Sequence, residues 1–230
     1  MTEKELMQHI KGGTAGLYVL YGEETYLTEQ YARLIAKHTV DEDFDAFNLQ
    51  RFDGQHLPLE QLEEAVESLP MMADRKCVMV RDYDCGSGDT DRLLALISDI
   101  PDSCVLVFWQ MTVQPDKRKK GWKAVLDTAQ KHGTVMQFER KTAAEAARML
   151  TSGAKRRGCS LATEDALTIV EMAGNDLQQL TSELDKLCAL AVNGVITRAV
   201  IDTACTRNLE AKVFDLSKLI IGGNGTAAYT

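Results

Sequence analysis

Asp82 and Asp84 stand two residues apart, just after the apolar run Val78-Met-Val80. In an aspartate phosphotransferase the first carboxylate of such a pair attacks phosphorus, and the pair holds magnesium. Here Cys85 and Gly86 follow where a hydroxyl residue is usual, and no lysine or paired downstream acids complete the set. An acidic loop is the simpler reading of the pair. A second candidate is the turn Tyr21-Gly22-Glu23-Glu24-Thr25, between an apolar run and a helical pattern. A phosphate-binding loop would sit there, but it needs a second glycine and a lysine in the spacing G-x-x-x-x-G-K-[ST]. Glu23 and Glu24 instead put negative charge where phosphates would lie. The turn is either a plain acidic helix start or a nucleotide-binding fold that has lost its nucleotide. No G-x-S-x-G motif marks a serine nucleophile.

Metal chemistry finds no pattern. Cys77, Cys85, Cys104, Cys159, Cys188 and Cys205 form no C-x-x-C pair, so zinc-ribbon spacing is absent. Cys77, Cys104 and Cys188 sit in apolar runs and read as small buried hydrophobes in a reducing compartment. His9, His38, His56 and His132 are scattered in polar surroundings and read as surface residues.

Three further features concern binding. Leu69, Pro70, Met71 and Met72 lie between a helical pattern and a strand-like run. Pro70 disfavours helix at Leu69, so two methionines follow in a connection. They either fold under and cap the sheet or stand out as a flexible, polarizable plug for a partner's groove. The run Lys117, Arg118, Lys119 and Lys120 opens a helix, where cations oppose the dipole. It suggests phosphate contact, with a solvated face as the plainer reading; Lys155-Arg-Arg157 is a second basic run. In Gly174-Asn-Asp-Leu-Gln178, ATP-driven ring motors of the AAA+ type often carry arginine at the last position, where it reaches the nucleotide. Gln178 supplies no permanent charge.

The elements that must position these residues follow from composition and periodicity. The chain has 230 residues, 45% apolar and 26% charged, which fits one or two soluble domains with a real core. Its net charge of −8 disfavours a sequence-blind electrostatic DNA binder, though not a local basic patch. No apolar run approaches the ~20 residues that span a bilayer, and the polar, acidic N-terminus is not a secretory signal. Residues 17–21, 47–52, 77–80, 104–109 and 134–138 predict strands. Residues 26–38, 59–69, 91–98 and 119–131 predict helices, with Gly133 as a helix stop. Five strands separated by helices predict a parallel sheet with right-handed crossovers.

After Arg140 no strand is expected. Helices are predicted over 142–157, over 163–173 with Thr163 as cap, over 176–192, after Thr197, and from 209 towards 221. This divides the chain into an α/β part, 1–140, a small all-α part, 141–208, and the start of a further part, 209–230.

The pieces together resemble the delta subunit of the bacterial DNA polymerase III clamp loader. The likeness runs through Tyr18-Val-Leu-Tyr-Gly-Glu-Glu-Thr-Tyr-Leu27, Phe47-Asn-Leu-Gln-Arg-Phe52, Ser68-Leu-Pro-Met-Met72 and Val78-Met-Val-Arg81. It continues in Gly158-Cys-Ser-Leu161, Gly174-Asn-Asp-Leu177, Glu183-Leu-Asp-Lys-Leu187, Ile196-Thr197 and Leu209-Glu-Ala-Lys-Val-Phe-Asp-Leu216. The resemblance implies a RecA-like, AAA+-type domain over 1–140, a helical lid over 141–208, and a collar that begins at 209 and is cut short.

It also implies a function. Such a subunit binds the sliding clamp (the beta subunit) and opens the ring for loading on primed DNA. It works beside motor and delta-prime subunits in the bacterial cytoplasm, without membrane, cofactor or ATP hydrolysis of its own, in a family classed with DNA-directed DNA polymerase. By position the clamp-binding element falls on Leu69, Pro70, Met71 and Met72, where family members often carry Leu-Phe. Lys117–Lys120 would be a DNA contact, and Gly22, Glu23, Glu24 and Gln178 would be a degenerate nucleotide site.

Overall fold

The computed structural model describes residues 1–205. The chain divides into two compact units, one over Met1–Arg140 and one from Lys141 onward. The helix expected over 209–221, and with it the collar assigned to 209–230, lies outside the described residues.

The first unit runs α1 (Glu3–Gly12), β1 (Gly16–Gly22), α2 (Thr25–Thr39), the single turn α3 (Asp45–Asn48), β2 (Leu49–Asp53) and α4 (Leu59–Glu67). It continues through β3 (Lys76–Arg81), α5 (Thr90–Ser98), β4 (Cys104–Trp109), α6 (Lys120–His132) and β5 (Gly133–Phe138). The five strands form one sheet in the order β2-β3-β4-β1-β5, and every neighbouring pair is parallel. The predicted α/β class and strand content hold. β1, β3 and β4 are interior strands with both faces covered, which is why they read as unbroken apolar runs. β5 lies on an edge and alternates.

Side chains that alternate along a strand point to opposite faces. Leu17, Val19, Tyr21, Val78, Val80, Leu106 and Phe108 meet Leu62 and Val66 of α4, Leu93 and Ile97 of α5, and Trp122 and Val125 of α6. The opposite face carries α2, with α1 packed on it.

Sequence periodicity misplaced several boundaries. Phe47 belongs to α3, so β2 begins at Leu49 rather than 47. α4 stops at Glu67, two residues early, because Ser68 before Leu69-Pro70 is already extended at ψ 148. Gly133 is no left-handed helix stop: it is extended at φ −162 and starts β5. Glycine is needed there because a Cβ would lie 2.4 Å from the Leu17 carbonyl oxygen. α1 was not anticipated, although Thr2-x-x-Glu5 is a capping box: Thr2 accepts from the Glu5 amide, and Glu5 accepts from that of Thr2.

The second unit holds α7 (Ala143–Arg156), β6 (Ser160–Leu161), α8 (Thr163–Ala173), α9 (Leu177–Leu190), β7 (Val195–Ile196) and α10 (Arg198–Ala204). Leu177, Leu180, Leu184 and Leu187 form the buried stripe of α9. The expectation of no strands fails by one short pair, β6 with β7. Two residues per strand are too few to carry a period-2 signal. Thr163 is the first helical residue and Ala162 the cap, without a side-chain bond. Cys188 is half-buried, not buried, and the sulfur of half-buried Cys159 lies 3.8 Å from its carbonyl oxygen.

Candidate functional site

The segment between α4 and β3 turns outward. Leu69 is 83% exposed, Met71 55% and Met72 85%. Pro70 beside them is half-buried. Single exposed apolar residues are ordinary, but three within four positions form a patch that water disfavours. The methionines do not fold under the sheet; both stand in solvent.

This tip is built, not loose. Asn48 at the end of α3 is 1% exposed, and its carboxamide meets the backbone of Met71 twice. The Met71 amide donates to Oδ1 at 2.7 Å, and Nδ2 donates to the Met71 carbonyl at 2.8 Å. Nδ2 also reaches the Phe44 carbonyl at 3.3 Å. Met72, the next residue, takes φ +52, a left-handed conformation that costs a side-chain-bearing residue on the order of 1 kcal/mol. On the α4 side, the buried Lys76 donates through Nζ to the Ala65 carbonyl at 2.6 Å and to Ser68 Oγ at 2.8 Å. A cation there satisfies C-terminal carbonyls and suits the helix dipole. Burial holds the Lys76 ammonium below the usual lysine pKa. Sequence reasoning found neither Asn48 nor Lys76 as supports. A polar residue in an apolar stretch was visible, but nothing local names a partner 23 residues away.

At the C-terminal end of β1, where ligands bind in parallel sheets, lies an open cleft of about 610 Å³. Tyr21, Gly22, Glu23, Gln114, Lys117 and Gln137 are among its lining residues. Only two residues, Glu23 and Glu24, separate β1 from α2, so the chain has no length for a phosphate-cradling loop. Two amides of the turn are also taken: Gly22 donates to Gln114 Oε1 at 3.1 Å, and Glu24 donates to the Phe138 carbonyl at 3.1 Å. Gly22 sits at φ +136, and a Cβ there would lie 2.1 Å from the Phe138 oxygen. Glu23 is exposed and Glu24 buried. Gln178 is exposed in the first turn of α9, in the other unit.

Lys117 donates to Gln137 Oε1 at 3.3 Å and lies 5.8 Å above the Tyr21 ring. Arg118 pairs with Asp116 at 3.0 Å. Lys119 precedes α6 and Lys120 begins it. All four cations are exposed.

Asp82 and Asp84 are not brought together as a reactive pair. Asp82 is buried, at φ +56, and Oδ1 accepts the amides of Met111 and Thr112 at 2.7 Å and of Val113 at 3.1 Å. Burial alone would raise its pKa. The three amides outweigh that and hold the carboxyl below its usual range. Asp84 accepts from the Gly86 amide at 3.2 Å. Asp82 is thus an anchor for the chain leaving β4, its Oδ1 shared by three amides and its Oδ2 3.8 Å from Arg81 Nε. Among the described residues no group of three or more His, Cys, Asp and Glu could hold a metal ion. No described helix is long and apolar enough to cross a membrane.

Comparison with known proteins gives a consistent result. The signature of the family described as DNA polymerase III, delta subunit, matches residues 18–139. The chain is 28% identical over 226 residues to the DNA polymerase III subunit delta of Bacillus subtilis (strain 168), covering 94% of this chain and 64% of that protein. Among solved structures it resembles the Bacillus subtilis DNA clamp loader delta protein (YqeN) with a TM-score of 0.73 at 26% identity. That match covers 98% of this chain and 69% of the other. The RuvB Holliday junction branch migration motor of Thermotoga maritima follows with a TM-score of 0.55 at 11% identity, over 96% of this chain and 76% of that one. At that identity the likeness shows the fold alone.

Proposed function

The chain belongs to the DNA polymerase III delta subunit family, and from that premise we propose that it binds the bacterial sliding clamp through the tip of Leu69, Met71 and Met72 and favours the open ring. The observation that carries the reading is the tip itself. Three apolar side chains are held out in solvent by a buried asparagine and a buried lysine. Burying them in a clamp groove is worth roughly 5–9 kcal/mol before the costs of association. A ligand shifts an equilibrium only by its differential affinity for the two states. The tip therefore opens the ring to the extent that its groove is better formed in the open state.

The motor work belongs to neighbouring subunits on this reading. The two-residue turn at Glu23-Glu24, with the Gly22 and Glu24 amides already bonded, supports an absence of ATP turnover in this chain. On this reading the exposed Lys117–Lys120 meet the phosphates of primed DNA once the loader is assembled, beside its motor and delta-prime subunits in the cytoplasm. On this reading residues 141–208 serve as the lid.

Calorimetric titration of the chain with its cognate clamp, without nucleotide, tests the reading. Saturable binding at micromolar affinity or better is expected, weakened tenfold or more by Met71→Ala with Met72→Ala. A folded double variant that binds as well as the parent would overturn the assignment of the tip.

A further inference from the structure

Asn48 makes no exposed contact of its own, being almost fully buried behind the tip. Its carboxamide nonetheless decides where the tip's backbone runs. Oδ1 faces the Met71 amide and Nδ2 faces the Met71 carbonyl, so one planar group satisfies both polar atoms of one residue. The Nδ2 bond to the Phe44 carbonyl fixes which end of the carboxamide points which way. The residue that follows is the one in a left-handed conformation with its side chain in solvent. An exposed loop without such a hold would sample many arrangements of Leu69, Met71 and Met72, and binding would have to select one. Each rotamer-rich side chain or loop element immobilised on binding reduces affinity.

We propose that Asn48 is the positioning residue of the tip, fixing Met71 before the clamp arrives so that little ordering remains for the bound state. This rests on the reading of the tip as the clamp-binding element. The two claims separate experimentally, because the latch is measurable in the free chain.

The experiment pairs hydrogen exchange with clamp titration for the whole chain carrying Asn48→Ala or Asn48→Asp. In the free Asn48→Ala chain, the Met71 amide should exchange at least tenfold faster while the amides of β3 keep their protection. Its clamp affinity should fall about tenfold. Asn48→Asp provides the readout that a merely structural role would not move. A carboxylate accepts from the Met71 amide but repels the Met71 carbonyl, whereas a protonated carboxyl accepts and donates as the amide group does. Clamp affinity of this variant, taken relative to the parent at each pH, should be low at neutral pH and recover as its carboxyl protonates. Unchanged Met71 exchange in Asn48→Ala would overturn the latch. Faster exchange with unchanged clamp affinity would overturn the positioning role while leaving the tip as the contact. A parent chain that fails to bind its clamp would instead overturn the reading of the tip, and the role of Asn48 towards the clamp with it.

Discussion

The ammonium of Lys76 lies 2.6 Å from the carbonyl oxygen of Ala65, buried beneath the end of the helix that leads to the tip. Ser68 Oγ shares both partners, accepting from Lys76 at 2.8 Å and donating to Ala65 at 3.2 Å. Lys76→Met keeps the apolar stem but removes the donors. Ser68 still serves the Ala65 carbonyl, so the loss should be modest, about 1–3 kcal/mol in urea unfolding with an unchanged m-value. A variant as stable as the parent would show that the buried cation offsets only its own desolvation.

Asp82 makes stability depend on pH in a definite direction. Its carboxyl titrates below the ordinary value of 3.8 in the folded chain. A depressed folded pKa gives stability that is fully present above the unfolded value and is lost as pH falls through the folded one. Asp82→Ala should cost about 2–4 kcal/mol at pH 7, where three amides lose their acceptor. The gap between parent and variant should narrow below about pH 4 as the unfolded carboxyl protonates. Urea titrations at neutral and acid pH measure it, and a gap that stays constant would contradict the role given to the carboxylate.

Nucleotide should leave the chain unmoved. A site with a dissociation constant about tenfold below the ligand concentration would add about 1.4 kcal/mol of stability. Thermal melts with and without millimolar Mg-ATP should therefore coincide. A saturable upward shift would mean that the cleft beside Gly22 holds nucleotide despite the short turn.

The basic run is expected to act only in the assembled loader on primed DNA. Neutralising a cation that meets a phosphate should reduce the slope of log affinity against log salt by about 0.9 on duplex DNA. Lys119→Gln with Lys120→Gln should have the larger effect, because Arg118 is already paired with Asp116 and Lys117 is engaged with Gln137 and Tyr21. Equal slopes for parent and variant would assign these residues to an ordinary solvated face.

The sheet was legible because its interior strands are apolar on both faces. Cys104–Trp109 could be bounded to the residue. Where one residue serves two structures, the periodicity misled. Gly133 ends one element and begins the next, and Phe47 continues a strand-like pattern while lying in a helical turn. The tip was legible as Pro70 with two methionines in a connection. Whether they faced in or out was not, because that depends on Asn48 and Lys76, whose bonds bring together segments distant in sequence. Asp82 shows the reverse case. Its spacing from Asp84 suggested chemistry, and only the amides of Met111, Thr112 and Val113 reveal it as an anchor.

The strand order sets the timetable on which the molecule can assemble. β1 leaves the ribosome first among the strands, yet both of its neighbours are made last: Val19 pairs with Phe108 in β4 and with Val135 in β5. Until residue 138 has emerged, the most buried strand of the sheet lacks at least one side of its pairing. A nascent chain halted before Cys104 presents β1 with neither neighbour, an apolar edge open to other chains. The sheet is therefore completed late in synthesis, from long-range contacts that slow folding, and its first strand must be shielded until then.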